Sequence, residues 1–256
     1  MVWRLTGRAA ARFAEPVAAL GIGEAREVRL QTEDGLTLGA WFVPGEGGCL
    51  LLLHGNGSSR SAFIEVMRKL RGRCLLAVTL RAHGDSDGER NDLGYGARLD
   101  VQAAVAWLAR EQPRSRRIVY GSSLGAAAAI HAASGLAVDG FILESPYRDL
   151  ETALTARLGQ RLPRPAAWLA ALSMRPWAPL LLGVSLSRLS PREAAAGILA
   201  PAVFLAGERD WRAPPSQVRE IAARVKDARV EVFPGADHGQ LRASDPSRWF
   251  ALLQQQ

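Results

Sequence analysis

The chain has 256 residues, nearly half of them hydrophobic, and its 32 Lys and Arg against 25 Asp and Glu leave a net charge of +7 at neutral pH. That length fits one large α/β domain better than two and is enough to bury a substantial core. The positive charges are almost all arginine and are scattered along the chain. With no basic run interleaved with aromatics, no zinc-ligand pattern and no RNA-binding signature, the charge does not point to nucleic acid.

Residues 1–24 repeat apolar side chains at Leu5, Ala9, Phe13, Val17 and Leu20, with Arg4, Arg8 and Arg12 in a neighbouring row. This pattern predicts an amphipathic basic helix, which either docks on its own domain or lies on an anionic membrane surface. The segment lacks the apolar core and small-residue cleavage site of a secretory signal, and no uncharged apolar run approaches the roughly 18 residues of a membrane span. The default location is therefore the cytoplasm, with peripheral contact at the inner membrane surface as the variant that the basic helix offers.

Residues 25–256 read as one domain. Glu27 to Gln31 and Leu36 to Phe42 are strands joined by Glu33-Asp34-Gly35, and an Asp-Gly between alternating segments signals a hairpin. Cys49 to Leu53 is apolar throughout, as expected of a central parallel strand covered on both faces. Neither Cys49 nor Cys74 has metal-site spacing, and two thiols in a chain this long do not make a disulfide scaffold, so both are read as reduced core residues. A helix from about Ser61 to Arg71 leads to the strand Cys74 to Val78. A second, with Ala97, Val101, Ala104, Val105 and Leu108 on one face, leads to Ile118-Val119-Tyr120. Further strands follow at Gly140 to Leu143, Val203 to Ala206 and Val230 to Phe233. Strand and helix alternate almost throughout, which predicts a doubly wound, mostly parallel eight-stranded sheet opened by an antiparallel hairpin. The rhythm breaks at about 149–190, a stretch rich in Leu, Ala and Pro that reads as a helical lid insertion.

The segment Gly121-Ser122-Ser123-Leu124-Gly125 follows an apolar strand and runs into an alanine-rich helix. In that context G-x-S-x-G is a strand-to-helix elbow whose glycines permit a tight turn and close approach, leaving the Ser123 hydroxyl at the mouth of the sheet as a candidate nucleophile. A serine hydroxyl is weak at neutral pH. It needs a histidine to take its proton, an acid to orient that histidine, and donors for the oxyanion.

With these residues the chain resembles the α/β-hydrolase superfamily, in particular its compact serine-esterase, serine-aminopeptidase-like and depalmitoylase-like members. The resemblance spans roughly Val28 to Trp249. Leu53-His54-Gly55-Asn56-Gly57 is similar to the family's H-G-x segment after the third strand, and Arg81-Ala82-His83-Gly84-Asp85-Ser86-Asp87-Gly88 to its R-G-x-G-x-S-x-G loop, with Thr79 and Ala82 replacing a frequent aspartate and glycine. Glu144-Ser145-Pro146-Tyr147 matches a common ending of the sixth strand. Gly207-Glu208-Arg209-Asp210 resembles the acid-bearing loop, and Gly235-Ala236-Asp237-His238 the terminal G-x-x-H. The resemblance implies an α/β-hydrolase fold with a short helical lid.

Among the four histidines, His238 is the candidate base, on a Gly-flanked loop after the last strand. His131 lies about 12 Å along the helix axis from Ser123, beyond reach. His54 is expected to pack or hydrogen-bond beneath the oxyanion loop, and His83 to sit in a loop near the pocket. Asp210 is the candidate acid through its match to the family loop, with Glu144 as competitor because some members carry their acid after the sixth strand. Asp237 is adjacent to His238 and badly placed to bond its ring. The oxyanion donors are the backbone amides of Asn56 and Leu124. Ser122 is expected to point away from the pocket. In the lid, Trp168, Met174 and Trp177, with Leu180, Leu181 and Leu182, either line an apolar acyl pocket or form the lid's own packing core.

The expected activity is that of a serine hydrolase cleaving carboxylic esters or thioesters through a Ser123-His238-Asp210 triad and an acyl-enzyme. The alternatives are a serine peptidase or amidase of the same fold, and a non-catalytic ligand-binding homologue. Serine rather than aspartate at the elbow argues against dehalogenase and epoxide-hydrolase chemistry. No metal, organic cofactor or obligate protein partner is implied, and the partner is a small-molecule ester or thioester. An acyl pocket built from Trp168, Met174 and Trp177 would favour small or medium apolar acyl groups over charged substrates.

Overall fold

The computed structural model describes residues 7–8, 15–177, 180, 184 and 188–255. Its eight strands are β1 (Arg26–Gln31), β2 (Thr37–Val43), β3 (Glu46–Leu53), β4 (Arg73–Val78), β5 (Arg117–Ser122), β6 (Gly140–Glu144), β7 (Ala202–Gly207) and β8 (Ala228–Phe233). They form one sheet in the order β1-β2-β4-β3-β5-β6-β7-β8. β1 and β2 are an antiparallel hairpin, β2 is antiparallel to β4, and every pairing from β4 to β8 is parallel. The mostly parallel doubly wound sheet expected from the alternating pattern is therefore present.

The described α-helices include α1 (Ile64–Lys69), α2 (Arg98–Glu111), α3 (Leu124–Ala132), α4 (Leu150–Leu158), α5 (Arg164–Met174), α6 (Pro191–Ala194), α7 (Pro215–Ala222), α8 (Leu241–Ser244) and α9 (Pro246–Gln254). Successive strand residues face opposite sides, so the apolar run of β3 feeds two cores. Leu51 and Leu53 pack with Val101 and Leu108 of α2, Ala128 of α3 and Ile221 of α7. Leu50 and Leu52 pack on the other face with Met67 of α1 and Trp249 and Leu253 of α9. Helices α4 and α5 lie between β6 and β7, within the stretch read as a lid, and share a smaller core that includes Leu154, Leu158, Ala167 and Ala171.

Most of the expected N-terminal helix lies outside the described residues. Its described end, Val17–Leu20, is a short 3-10 helix with Leu20 buried, and Arg68 donates to the carbonyls of Leu20 (2.9 Å) and Ala19 (2.7 Å). Arg8 reaches the loop after β4, donating to the carbonyls of Gly88 (2.7 Å) and Ser86 (2.9 Å). These described parts dock on the domain itself. No described helix is long and apolar enough to cross a membrane.

The cysteines depart from expectation. Cys49 and Cys74 form a disulfide, with Cα atoms 4.4 Å apart. The parallel register that pairs Leu50 with Leu75 sets the two thiols side by side one residue earlier, an adjacency that their 25-residue sequence separation does not reveal. Opening that loop by Cys74→Ala is expected to cost about 3 kcal/mol of stability, the effect of releasing a loop of this size in the unfolded chain. Denaturant titration of both proteins without reductant checks it, and a change under about 1 kcal/mol would mean that the bridge constrains little.

Candidate active site

The strand-to-helix elbow is held by two close approaches. A Cβ at Gly121 would lie 2.6 Å from the Ala126 amide nitrogen, and one at Gly125 would lie 2.7 Å from the Leu53 carbonyl carbon. Both neighbours are backbone and cannot turn aside. Between them Ser123 takes φ 51° and ψ −104°, a conformation that non-glycine residues rarely occupy and that costs about 1–3 kcal/mol. Its amide donates to the Glu144 carbonyl (2.7 Å), and its own carbonyl accepts from the Ala127 amide (3.0 Å), so strand and helix pin the turn from both sides. Gly125→Ala is expected to destabilise the protein by about 3 kcal/mol or more, because α3 must move off β3 to admit a methyl group. Thermal unfolding tests this, and an unchanged Tm would show that the elbow is looser than these contacts require.

The loop after β8 brings His238 to this turn. His238 Nε2 lies 3.0 Å from Ser123 Oγ, and His238 Nδ1 lies 2.8 Å from Asp210 Oδ2. The carboxylate accepts the Nδ1 proton, which leaves Nε2 free to accept from the serine hydroxyl. Asp210 follows β7, and its second oxygen accepts the amides of Arg212 (2.9 Å) and Ala213 (3.0 Å), which hold the carboxylate in position. Burial by itself would raise the Asp210 pKa. The bond and charge of His238, together with the Ala213 amide, outweigh it and hold the carboxyl below its usual range.

Glu144 is placed differently. It is buried at the end of β6 and accepts from the Tyr120 hydroxyl (2.9 Å) and the Trp249 indole (2.8 Å), with the Ser122 hydroxyl 3.5 Å away. Here burial outweighs the hydrogen bonds and raises its pKa. Two nearby carboxyls are thus pushed in opposite directions, and the one kept ionised is the one that holds the histidine. Asp237 is exposed on the adjacent loop.

Two other histidines brace the turn after β3. His54 donates from Nδ1 to the Gly55 carbonyl (2.8 Å) and accepts the Leu80 amide at Nε2 (3.0 Å). Its complete burial, with His83 and Arg60 nearby, lowers its pKa to about 3, so it stays neutral and can make both bonds. His83 donates from Nδ1 to the Arg81 carbonyl (2.9 Å) and accepts the Gly57 amide (3.1 Å); burial lowers its pKa as well. The two rings meet edge to face at 5.0 Å and tie residues 54–57 to the loop after β4. Asn91 adds a hydrogen bond to the Asn56 side chain.

Asn56 and Leu124 both border a cavity of about 260 Å³ that contains Ser123 and His238. Leu124 opens α3, where a backbone N–H has no partner inside the helix. Ser122 borders the same cavity while its hydroxyl faces Glu144. His131 lies on α3 against Tyr95, its pKa lowered to about 4 by burial, and does not line the cavity.

For Trp168, Met174 and Trp177 the sequence left two readings, an acyl pocket or the packing of their own segment. Trp168, Met174 and Trp177 do not line the cavity that holds Ser123. Trp168 is 47% exposed, donates to Glu151 and borders a separate groove beside Trp211; Trp177 is 62% exposed; Met174 packs against the lid's own core. Leu180 is exposed, and Leu181 and Leu182 lie outside the described residues. One face of α4 borders that cavity instead. Ala153, Ala156 and Arg157 of α4, with Gln160 just beyond it, follow helical spacing and wall the cavity, joined by Tyr147, Leu93 and Arg212. The i, i+3, i+4, i+7 spacing was present in the sequence. Which face of α4 turns toward the serine was not, because Leu150, Leu154 and Leu158 repeat on another face of the same helix.

Comparison with known proteins shows the family and the fold. The model of the Alpha/beta hydrolase family matches residues 50–252. An uncharacterized protein of Mycobacterium tuberculosis is 30% identical over 236 residues, spanning 87% of this chain and 75% of that protein. The Alpha/beta hydrolase domain-containing protein WAV2 of Arabidopsis thaliana is 28% identical over 227 residues, covering 83% of this chain and 71% of its own. Among solved structures, the esterase Pf2001 of Pyrococcus furiosus superposes with a TM-score of 0.76 at 27% identity, over 96% of this chain and 95% of its own.

Proposed function

The chain belongs to the alpha/beta hydrolase family, and on that premise we propose that it is a serine hydrolase that cleaves carboxylic ester or thioester bonds through an acyl-enzyme. The observation that carries the reading is the continuous hydrogen-bonded line from Ser123 Oγ through His238 to Asp210, at 3.0 and 2.8 Å, opening on a cavity. The likeness to an esterase across nearly the whole chain supports the ester as the bond cleaved.

In this reading Ser123 Oγ attacks the substrate carbonyl carbon as its proton passes to His238 Nε2. The carbonyl oxygen becomes an oxyanion that accepts from the Asn56 and Leu124 amides, fixed donors that need no reorganisation as charge develops. Asp210, held ionised, stabilises the imidazolium. The tetrahedral intermediate collapses, the C–O or C–S bond breaks, and His238 returns the proton to the leaving alkoxide or thiolate. Water then attacks the acyl-enzyme, again giving its proton to His238, and the acid leaves as Ser123 regains its hydrogen.

Labelling of the purified protein with a fluorophosphonate, followed by peptide mass spectrometry, tests the reading directly. The expected adduct is on Ser123 and is lost in Ser123→Ala. A protein that takes no label and turns over no ester or thioester would be a ligand-binding relative instead.

A further inference from the structure

Helix α4 borders two spaces. Its Ala153 and Arg157 line the cavity that holds Ser123, and its Glu151, Thr152 and Thr155 line the groove of about 380 Å³ beside Trp168 and Trp211. At about 100° per residue Ala156 falls between the two sets, and it borders both spaces. The loop after β7 switches in the same way: Trp211 lines the groove, Ala213 lines the cavity, and Arg212 between them lines both. Cavity and groove therefore meet along one seam, at Ala156 and Arg212. Resting on the serine hydrolase reading, we propose that they form a single substrate cleft. The reacting carbonyl sits at Ser123, an aromatic arm of the substrate crosses Ala156 to lie against Trp168, and Ala156 is the residue that sets this specificity.

Three features support the assignment. First, the cavity is small by itself. About 260 Å³ lies under the roughly 300–1,000 Å³ of pockets that enclose drug-sized ligands, and the groove brings the joined space within that range. Second, α4 contributes only a methyl group to the seam. A leucine at 156, of the size found at Leu154 and Leu158 on the packed face of the same helix, would stand where the arm must cross. Third, the groove already holds an oriented aromatic surface. The Trp168 indole donates to Glu151 (3.0 Å), which fixes the ring while leaving it about half exposed, so little side-chain freedom remains to be lost when a ligand covers it. Trp211 is braced beside it by the guanidiniums of Arg164 and Arg212, at 5.2 and 5.7 Å from its ring centroid.

The chemistry of the lining selects the arm. Rings that meet an indole in offset or edge-to-face geometry gain more than their buried area alone provides. Among the described residues that line the groove, three arginines stand against one glutamate, which disfavours a cationic arm, whereas the face of an aromatic ring accepts a guanidinium neighbour. The ring can enter on the acyl or on the alcohol side of the ester, and the experiment separates the two.

The test is a ratio measured within each protein, from kcat/KM followed by acid release. One set of substrates is the methyl esters of ω-phenylalkanoic acids, with the ring on the acyl side; the other is the acetates of ω-phenylalkanols, with the ring on the alcohol side. Each set runs from propyl to hexyl chains, and each ester is compared with its ring-free counterpart. In the wild type the ring is expected to raise kcat/KM by about tenfold at the best chain length of one set, and that set identifies the side on which the arm enters. Ala156→Leu, which fills the seam, and Trp168→Ala, which removes the aromatic surface, are each expected to lower that ratio severalfold toward one, whatever either does to turnover in general. If Ala156→Leu fails to fold, the change at the exposed Trp168 still decides. A ratio at or below one in both sets, with Ser123 labelled by fluorophosphonate, overturns the joined cleft alone, and so does a wild-type ratio retained by either folded variant. An unlabelled Ser123 with no ester cleaved overturns the hydrolase reading and the cleft together.

Discussion

Ser123→Ala and His238→Ala are each expected to lower ester turnover by roughly 10⁴- to 10⁶-fold, with the double variant little worse than either single one. In the proposed mechanism the nucleophile and its base act as a unit. Without His238 the 3.0 Å bond that takes the serine proton is gone, and without Ser123 the imidazole has nothing to activate at the carbonyl. In the proposed mechanism binding and the Asn56 and Leu124 amides would remain, and such groups by themselves still accelerate hydrolysis over water. Steady-state kinetics on the folded single and double variants decides the matter. Losses that multiply in the double variant, or a single variant near wild-type turnover, would detach these residues from the reaction.

Asp210→Asn is expected to reduce turnover by about 10⁴-fold, while Glu144→Gln reduces it by about tenfold or less. The amide at 210 keeps the shape of the carboxylate but presents a donor to His238, favouring the tautomer that places a proton on Nε2, where one must instead be accepted. At 144 a glutamine still presents an oxygen to the Tyr120 hydroxyl and the Trp249 indole, so the consequence is felt in packing more than in proton transfer. The opposite shifts of the two carboxyls support this ranking. Asp210, held below the usual range by His238 despite its burial, keeps its charge at neutral pH, whereas burial of Glu144 works against ionisation. A larger loss from Glu144→Gln than from Asp210→Asn would move the acid to the end of β6.

The separate roles of these two carboxylates illustrate what was legible. Both lie at the carboxyl end of an apolar strand followed by a loop, and local pattern ranks them only through the resemblance around Asp210. The ranking becomes physical once Asp210 is 2.8 Å from Nδ1 and Glu144 is enclosed by Tyr120 and Trp249. His54 and His83 were placed near the site by their motifs, yet their joint role as a brace between two loops depends on the strand order that sets β3 beside β4.

By itself the sequence determined the alternation of strands and helices, the double coverage of β3, the elbow and the order of its Ser, Asp and His residues. These are properties of local spacing: an unbroken apolar strand must be buried on both faces, and glycines two residues either side of a serine permit one tight turn. The tertiary structure alone decided three further matters. It joined Cys49 to Cys74, because parallel register places side by side residues that are distant in the chain. It turned Trp168 and Trp177 outward, because a helix with apolar side chains on several faces does not announce which face will meet the domain. It brought Arg157 of α4 and Arg212 of the β7 loop to the lining of one cavity, because elements 55 residues apart in the chain meet only in the folded structure.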